Sequence, residues 1–249
     1  MRKIPRHLGA IACLASVLAL ACPPLAQAQR VRTYVSGDRL PALPLSGPHD
    51  VIGPVTGSEG YYDVLRVVIG TDVALPHEAR FYGVTAVAIQ EKGDEPCRIE
   101  LYGRLLDPEG SQADLLVGKG TLFGCDEERN SSWRAATLVG QPHNFVRSVR
   151  ACFQKPPFSH MKIKGLMVAS GVVYDDGRIV PLPELPCFDQ KTPHCFARPN
   201  CGEWAEASTC PTDQIVTGMT VYHYAADKNP PRALSAIQPS CRSVRSGEG

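Results

Sequence analysis

Three times this chain runs from an apolar strand, through a polar loop containing proline, into a second apolar strand. "FYGVTAVAIQEKGDEPCRIELYGRLL" starts at Phe81, "FVRSVRACFQKPPFSHMKIKGLMVA" at Phe145 and "IVTGMTVYHYAADKNPPRALSAIQPSC" at Ile215. The loops carry Pro96, then Pro156 and Pro157, then Pro230 and Pro231. In each copy the opening residue leads an apolar residue of the second strand by 18, 18 and 19 positions, taking Ile99, Ile163 and Leu234 as the partners. Trp133 lies 12 residues before Phe145 and Trp204 lies 11 before Ile215. Self-similarity of this kind marks a repeat architecture, in which each copy is one supersecondary unit sharing a core with its neighbours. The copies start 64 and 70 residues apart, which fits three sheets around a pseudo-threefold axis.

The rest of the pattern agrees. "YYDVLRVVIG", "RFYGVTAVAIQ", "RIELYGRLL", "NFVRSVRACF", "MKIKGLMVASGVV", "QIVTGMTVYHY" and "ALSAIQPSC" are short β-branched or aromatic runs bounded by turn residues, and they read as strands. Strict alternation in "FVRSVRACF" groups Val146, Ser148, Arg150 and Cys152 on one face and Phe145, Arg147, Val149 and Ala151 on the other. "DDG" at 175–177 is a hairpin turn signal between Val173 and Ile179. "VGKGTLFG" from Val117 to Gly124 fits neither a phosphate-binding nor a dinucleotide-binding loop and reads as a bulge or turn. No segment keeps a helical apolar period for three turns, so the chain is all-β. Residues 61–245 read as a single β domain with copies at about 61–115, 116–180 and 181–245. Residues 29–60, with "LPALPLSGPHDVIGPVTG", read as a Pro/Gly-rich arm.

Residues 1–28 read as a signal peptide. Arg2, Lys3 and Arg6 precede an apolar run from Leu8 to Ala21, and Ala26 and Ala28 supply small residues for cleavage after Ala28. The run is shorter than the ~20 apolar residues that span a bilayer, and no transmembrane segment is expected. Cys22 in "ALAC" leaves lipoprotein anchoring as a minor alternative to a freely secreted, extracellular or periplasmic chain. Cleavage takes away three of the 26 basic residues and none of the 25 acidic ones, leaving a small negative balance. Nucleic acid, which demands a basic stripe, is excluded as a partner. Eight of the ten cysteines survive cleavage: Cys97, Cys125, Cys152, Cys187, Cys195, Cys201, Cys210 and Cys241. An even number in an exported chain points to disulfides, and eight permit about a hundred pairings.

The last copy carries a recognisable signature. "WAEASTCPTDQIVTGMTVYHY…ALSAIQPSCRSV" resembles the final repeat of the vitelline membrane outer layer protein I family, and a wider set of secreted bacterial repeats. Trp204, Cys210, Pro211, Val216, Gly218, Val221, Ala233, Leu234, Ile237 and Cys241 carry the likeness, over residues 204–244. Copy two lacks the Cys-Pro pair and copy one lacks the tryptophan. The resemblance implies a disulfide-stabilised β-prism of three Greek-key sheets, an extracellular location and an affinity for oligosaccharides or cell-surface polysaccharide. It implies no catalytic residue. It also makes a Cys210–Cys241 bridge the first pairing to expect, since that bond ties the ends of a strand pair and restricts the unfolded chain by a few kcal/mol, roughly 3.

Catalytic signatures are missing: there is no G-x-S-x-G and no H-E-x-x-H. "CFDQKTPHCFARPNCGEW" holds Cys187, His194, Cys195 and Cys201 at spacings of eight and six, wider than a zinc knuckle, so bridges are preferred there over a metal. Neither cofactor nor metal is expected. Tyr222 and Tyr224 share one strand face in "VYHYAAD" and lead into a polar loop with Asp227, Lys228 and Asn229. Aromatic rings stack on sugars and polar tips fix hydroxyls, which makes these five residues a candidate binding site. The chain reads as a secreted binding or cell-envelope protein. A hydrolase or glycosyl-transferring enzyme with an unfamiliar site and a protein-binding inhibitor or toxin module are the alternatives.

Overall fold

The computed structural model describes residues 32–35, 61–92, 95–106, 113–121, 131–138, 142–154, 163–187, 192–225 and 233–247. Asp227, Lys228, Asn229, Cys125 and the 1–28 leader lie outside the described residues. The strands are β1 (Arg32–Val35), β2 (Tyr61–Val68), β3 (Tyr82–Lys92), β4 (Glu95–Leu105), β5 (Leu115–Thr121), β6 (Ser131–Thr137), β7 (Asn144–Gln154), β8 (Ile163–Val173), β9 (Ile179–Pro181), β10 (Cys195–Ala197), β11 (Cys201–Trp204), β12 (Ser208–Thr209), β13 (Gln214–Ala225) and β14 (Ala233–Gly247). One 3₁₀ turn covers Ala79–Phe81, and no described segment is an α-helix.

The chain is all-β and builds three antiparallel sheets, each around one long hairpin. Sheet I has the order β5-β4-β3-β6, sheet II the order β10-β8-β7-β11 and sheet III the order β1-β14-β13-β2. In sheet I, three hairpin-connected strands are followed by one that returns beside the first, which is Greek-key order. In each sheet a further strand pairs with the first strand of the long hairpin. β6 closes sheet I, β11 closes sheet II, and β2, from the start of the domain, closes sheet III. The two tryptophans occupy the same place in this scheme: Trp133 pairs with Gln90 and Trp204 with Cys152, the ninth residue of its long strand in each case.

Register makes the threefold relation residue by residue. The long hairpins carry a β-bulge on the first strand at Thr85, Arg147 and Thr217, each three residues after the strand begins. A second irregularity falls after Gln90, Cys152 and Tyr222. On both sides of the first bulge, equivalent residues enter the core together: Val84, Val146 and Val216; Val87, Val149 and Met219; Ile89, Ala151 and Val221; and Ile99, Leu166 and Ile237 from the second strands. The bulge also corrects the simple alternation of β7. Val146 joins Val149 and Ala151 in the core, while Ser148 bonds Thr209 and Arg150 pairs with the exposed Glu184.

Gly83, Phe145 and Ile215 are equivalent in this register. A Cβ built on Gly83 would sit 2.4 Å from Phe145 Cδ1 and 2.9 Å from Ile215 Cδ1. Positions related by a threefold can be mutually close only beside its axis. Two large side chains fill that space, so the third copy supplies none. This explains a two-residue error in matching copies by their aromatic residues: Phe81, aligned with Phe145 by sequence, belongs instead to the 3₁₀ turn.

The "VGKG" stretch lies in a strand and carries a bulge at Val117, which fits the bulge reading and not the turn. Gly118 and Gly120 lie in β5, where added Cβ atoms would meet Val68 O at 2.6 Å and Val67 Cγ2 at 2.5 Å. The glycines let β2 of sheet III press against β5 of sheet I. At the expected hairpin, Gly177 has φ +81° and its N–H donates to Tyr174 O, but the returning strand β9 is only three residues long.

Disulfides join Cys152–Cys201, Cys187–Cys195 and Cys210–Cys241, and Cys97 is also disulfide-bonded. The bulge residue Arg147 is buried and donates to the carbonyls of Cys210, Pro211 and Gln214, at 2.6, 3.0 and 3.4 Å. Burial lowers its pKa from the ordinary value, and the Asp213 carboxylate opposes that shift. Glu91, 1% exposed, accepts from Arg134 of sheet I and from Arg198, just beyond β10 of sheet II.

Gly83→Ala is expected to cost about 1–3 kcal/mol, the usual penalty for overpacking a filled core. Urea denaturation would read it as a lower midpoint. Adding Phe145→Leu, which takes away the ring edge, should recover part of the loss relative to either change alone. Wild-type stability in the single variant would refute axial crowding.

Candidate functional site

On β4, Arg98, Glu100 and Tyr102 alternate with Ile99 and Leu101, which go to the core. Period-2 alternation therefore turns the three polar residues to the outer face of sheet I. Small residues lie beside them on β3, where Ala86 pairs with Tyr102 and Ala88 with Glu100. β6 completes the face, bringing Trp133 opposite Gln90, which itself pairs with Arg98.

The polar groups are joined. Arg98 Nη2 donates to Glu100 Oε1 at 2.5 Å, and Tyr102 OH donates to Glu100 Oε2 at 2.8 Å. The Arg98 guanidinium also stands 5.4 Å from the Trp133 ring centroid, within cation–π range. Glu100 is 5% exposed, whereas Trp133 is 45% exposed. A buried carboxylate thus holds a guanidinium and a phenol in place beside an open indole. Gln90, 3% exposed, sits in the row between them, and its Oε1 has no hydrogen-bond partner among the described residues. The phenol of Tyr102 is pushed up to about 12. Burial is the main cause; the Glu100 hydrogen bond and charge add to it, and Arg98 acts the other way. Chemically this is a platform for a flat polar ring: an aromatic surface to stack on, with donors and acceptors held at its margin.

The sequence candidates are placed as follows. Tyr222 and Tyr224 lie in β13 at register positions that alternate with core Val221, pairing with Val64 and Tyr62 of β2. The cysteines of the "CFDQKTPHCFARPNCGEW" stretch are all in disulfides, Cys187 with Cys195 and Cys201 with Cys152, so no thiolate there is left for a metal. Among the described residues no group of three or more His, Cys, Asp or Glu is arranged to hold a metal ion. Sequence pattern alone marks Trp133 as a repeat position and does not place it beside this face. The signal of the face itself is present in "RIELY", whose polar members recur at every second residue.

No family model and no curated protein matches the chain, so the resemblance to the vitelline membrane outer layer family gains no match beyond its own short pattern. Solved structures of lectins do match. Calystegia sepium agglutinin is 11% identical over 82% of this chain and 99% of that one, with a TM-score of 0.37. An artocarpin–mannopentose complex is 10% identical over 82% and 98%, with a TM-score of 0.38. A mannose-specific jacalin-related lectin from Morus nigra, solved with mannose, is 10% identical over 77% and 99%, at 0.35. Scores this low assign the chain neither ligand nor site; the threefold arrangement rests on the three sheets themselves.

Tyr102 makes the site visible to pH. Its folded pKa lies above the unfolded value of 10.0, so its contribution to stability is fully present below pH 10 and is lost as pH rises through about 12. Difference ultraviolet titration against Tyr102→Phe should isolate one late-ionising phenol. Glu100→Gln should bring that ionisation back toward 10. A curve unmoved by Glu100→Gln would mean that Glu100 does not govern the phenol.

Proposed function

We propose that this chain is a secreted, non-enzymatic glycan-binding protein, with the outer face of sheet I as its binding surface. The observation carrying this reading is Trp133, a half-exposed indole fixed beside the Arg98–Glu100–Tyr102 network. A pyranose ring presents an apolar face of C–H groups that stacks on an indole, while its equatorial hydroxyls bond to the guanidinium at the margin. Glu100 is occupied by two donors, which suits a fixed acceptor better than a proton shuttle. Export is supported by the basic head, apolar run and Ala26–Ala28 pair, and by the disulfide bonds.

A second position for the same activity is the end of β13, with Tyr222 and Tyr224 leading toward Asp227, Lys228 and Asn229. The register of Tyr222 and Tyr224, out of step with core Val221, supports it.

A glycan array on the oxidised protein, followed by titration of any hit, tests both. Trp133→Ala is expected to weaken binding about tenfold while Trp133→Phe keeps most of it. Loss confined to the Tyr222→Ala, Tyr224→Ala variant would move the site to β13. An array without hits would overturn the glycan-binding reading altogether. Protein recovered from the medium or periplasm should begin at Gln29; an uncleaved N-terminus would refute export by this leader.

A further inference from the structure

Sheet II repeats the arrangement around Trp133 with a second indole. Trp133 stands opposite Gln90, and Trp204 stands opposite Cys152. Gln90 and Cys152 are equivalent residues of β3 and β7, each directly before the second irregularity of its hairpin. In sheet III the equivalent residue is Tyr222, and the place opposite it on β2 is held by Val64. The chain has two tryptophans, and both occupy this one structural position.

Trp204 is turned away from the core. Its register partner Cys152 lies between Ala151 and Phe153, which both enter the core, so strand alternation sends Cys152 and Trp204 to the outer face. Trp204 is partly exposed there, whereas the next residue, Ala205, packs against the core. The Cys152–Cys201 disulfide ties β11 to β7 in this same region and holds the indole's strand in place without a ligand.

A polar margin stands beside the indole. Arg150 lies two residues before Cys152 on β7, on the same face. Its Nε donates to Ala205 O at 2.6 Å, which fixes the guanidinium against the residue that follows Trp204. Its Nη1 is 3.4 Å from Glu184 Oε1, in the stretch after β9. The Arg150 and Glu184 side chains are 36% and 38% exposed, far more open than Arg98 and Glu100 at 15% and 7%. An exposed ion pair of this length adds little to stability, so both groups can turn to hydroxyls of a ligand at small cost.

We propose that the outer face of sheet II is a second glycan site, where Trp204 stacks on the C–H face of a pyranose and Arg150 and Glu184 bond its hydroxyls. The proposal rests on the glycan-binding reading of sheet I and adds to it a site on a different sheet. One chain then holds two sugar rings, and it favours surfaces that display many sugars over a single free one, because the second contact forms at high effective concentration.

Two indoles give two indole N–H signals in a proton–nitrogen NMR spectrum, one for each site. The full oxidised chain is titrated with the methyl pyranosides of glucose, galactose and mannose, and Trp204→Phe assigns the signals by removing one of them. At least one sugar is expected to shift both signals saturably. Arg150→Gln and Glu184→Gln, both at exposed side chains, should each weaken the Trp204 isotherm about tenfold, with the Trp133 isotherm as internal reference. Saturation at Trp133 with the Trp204 signal unmoved would overturn the second site and leave the first standing. A Trp204 isotherm indifferent to both substitutions would overturn the assigned margin. If no sugar moves either signal, both sites fall together.

Discussion

Space beside the threefold axis is what the rest of this structure answers to. Three equivalent strand positions converge there, and only two side chains of the size of Phe145 and Ile215 fit. Gly83 is the complement of those two residues. Further into the core the constraint relaxes. The layers of Val84, Val146 and Val216, and of Ile99, Leu166 and Ile237, admit a medium aliphatic side chain from every copy. Symmetry is therefore kept where three equal volumes pack and broken where they cannot.

Equivalent backbone positions carry different chemistry. The bulge on the first strand recurs in all three hairpins, yet its side chain is Thr85, Arg147 or Thr217. Thr85 bonds Asp114 at 2.9 Å, and Thr217 reaches Ser240 O at 3.4 Å. Arg147 spans to three carbonyls around Cys210, satisfying the loop that enters β13. At Glu91 the same logic serves assembly, with guanidinium groups from two sheets meeting one buried carboxylate. Removing one partner of such a cluster leaves buried charge exposed to a low dielectric, which is why these contacts help to hold one arrangement of the sheets.

The outer faces are free to diverge because the core does not use them. Sheet I places an indole beside a guanidinium, a carboxylate and a phenol, while sheet II is walled by the stretch after β9, held to β8 at Leu182 and to β10 by the Cys187–Cys195 disulfide. Much of the first surface was legible in "RIELY" as a polar period of two. The position of Trp133 was not, because β6 reaches β3 across a sequence separation of more than forty residues. The wall over sheet II was less legible still. Asn144, Leu182 and Leu185 are unremarkable in sequence and meet only when the wall is folded back over β8.

The sequence by itself determined the class of the fold. Apolar runs with a period of two, proline-bearing loops and a repeat of strand separations allowed only β-sheet in three copies. It also determined that cysteines would be structural, through their number and setting. Tertiary structure decided the rest. It moved the copies into register by two residues, made "VGKG" a strand so that β2 could approach, and brought β2 from the start of the domain to the edge of sheet III. Those outcomes depend on which backbones come within a few ångströms of each other across long stretches of sequence. Local pattern reports the preferences of one strand, whereas shared volume at the axis and between edges belongs to all three sheets at once.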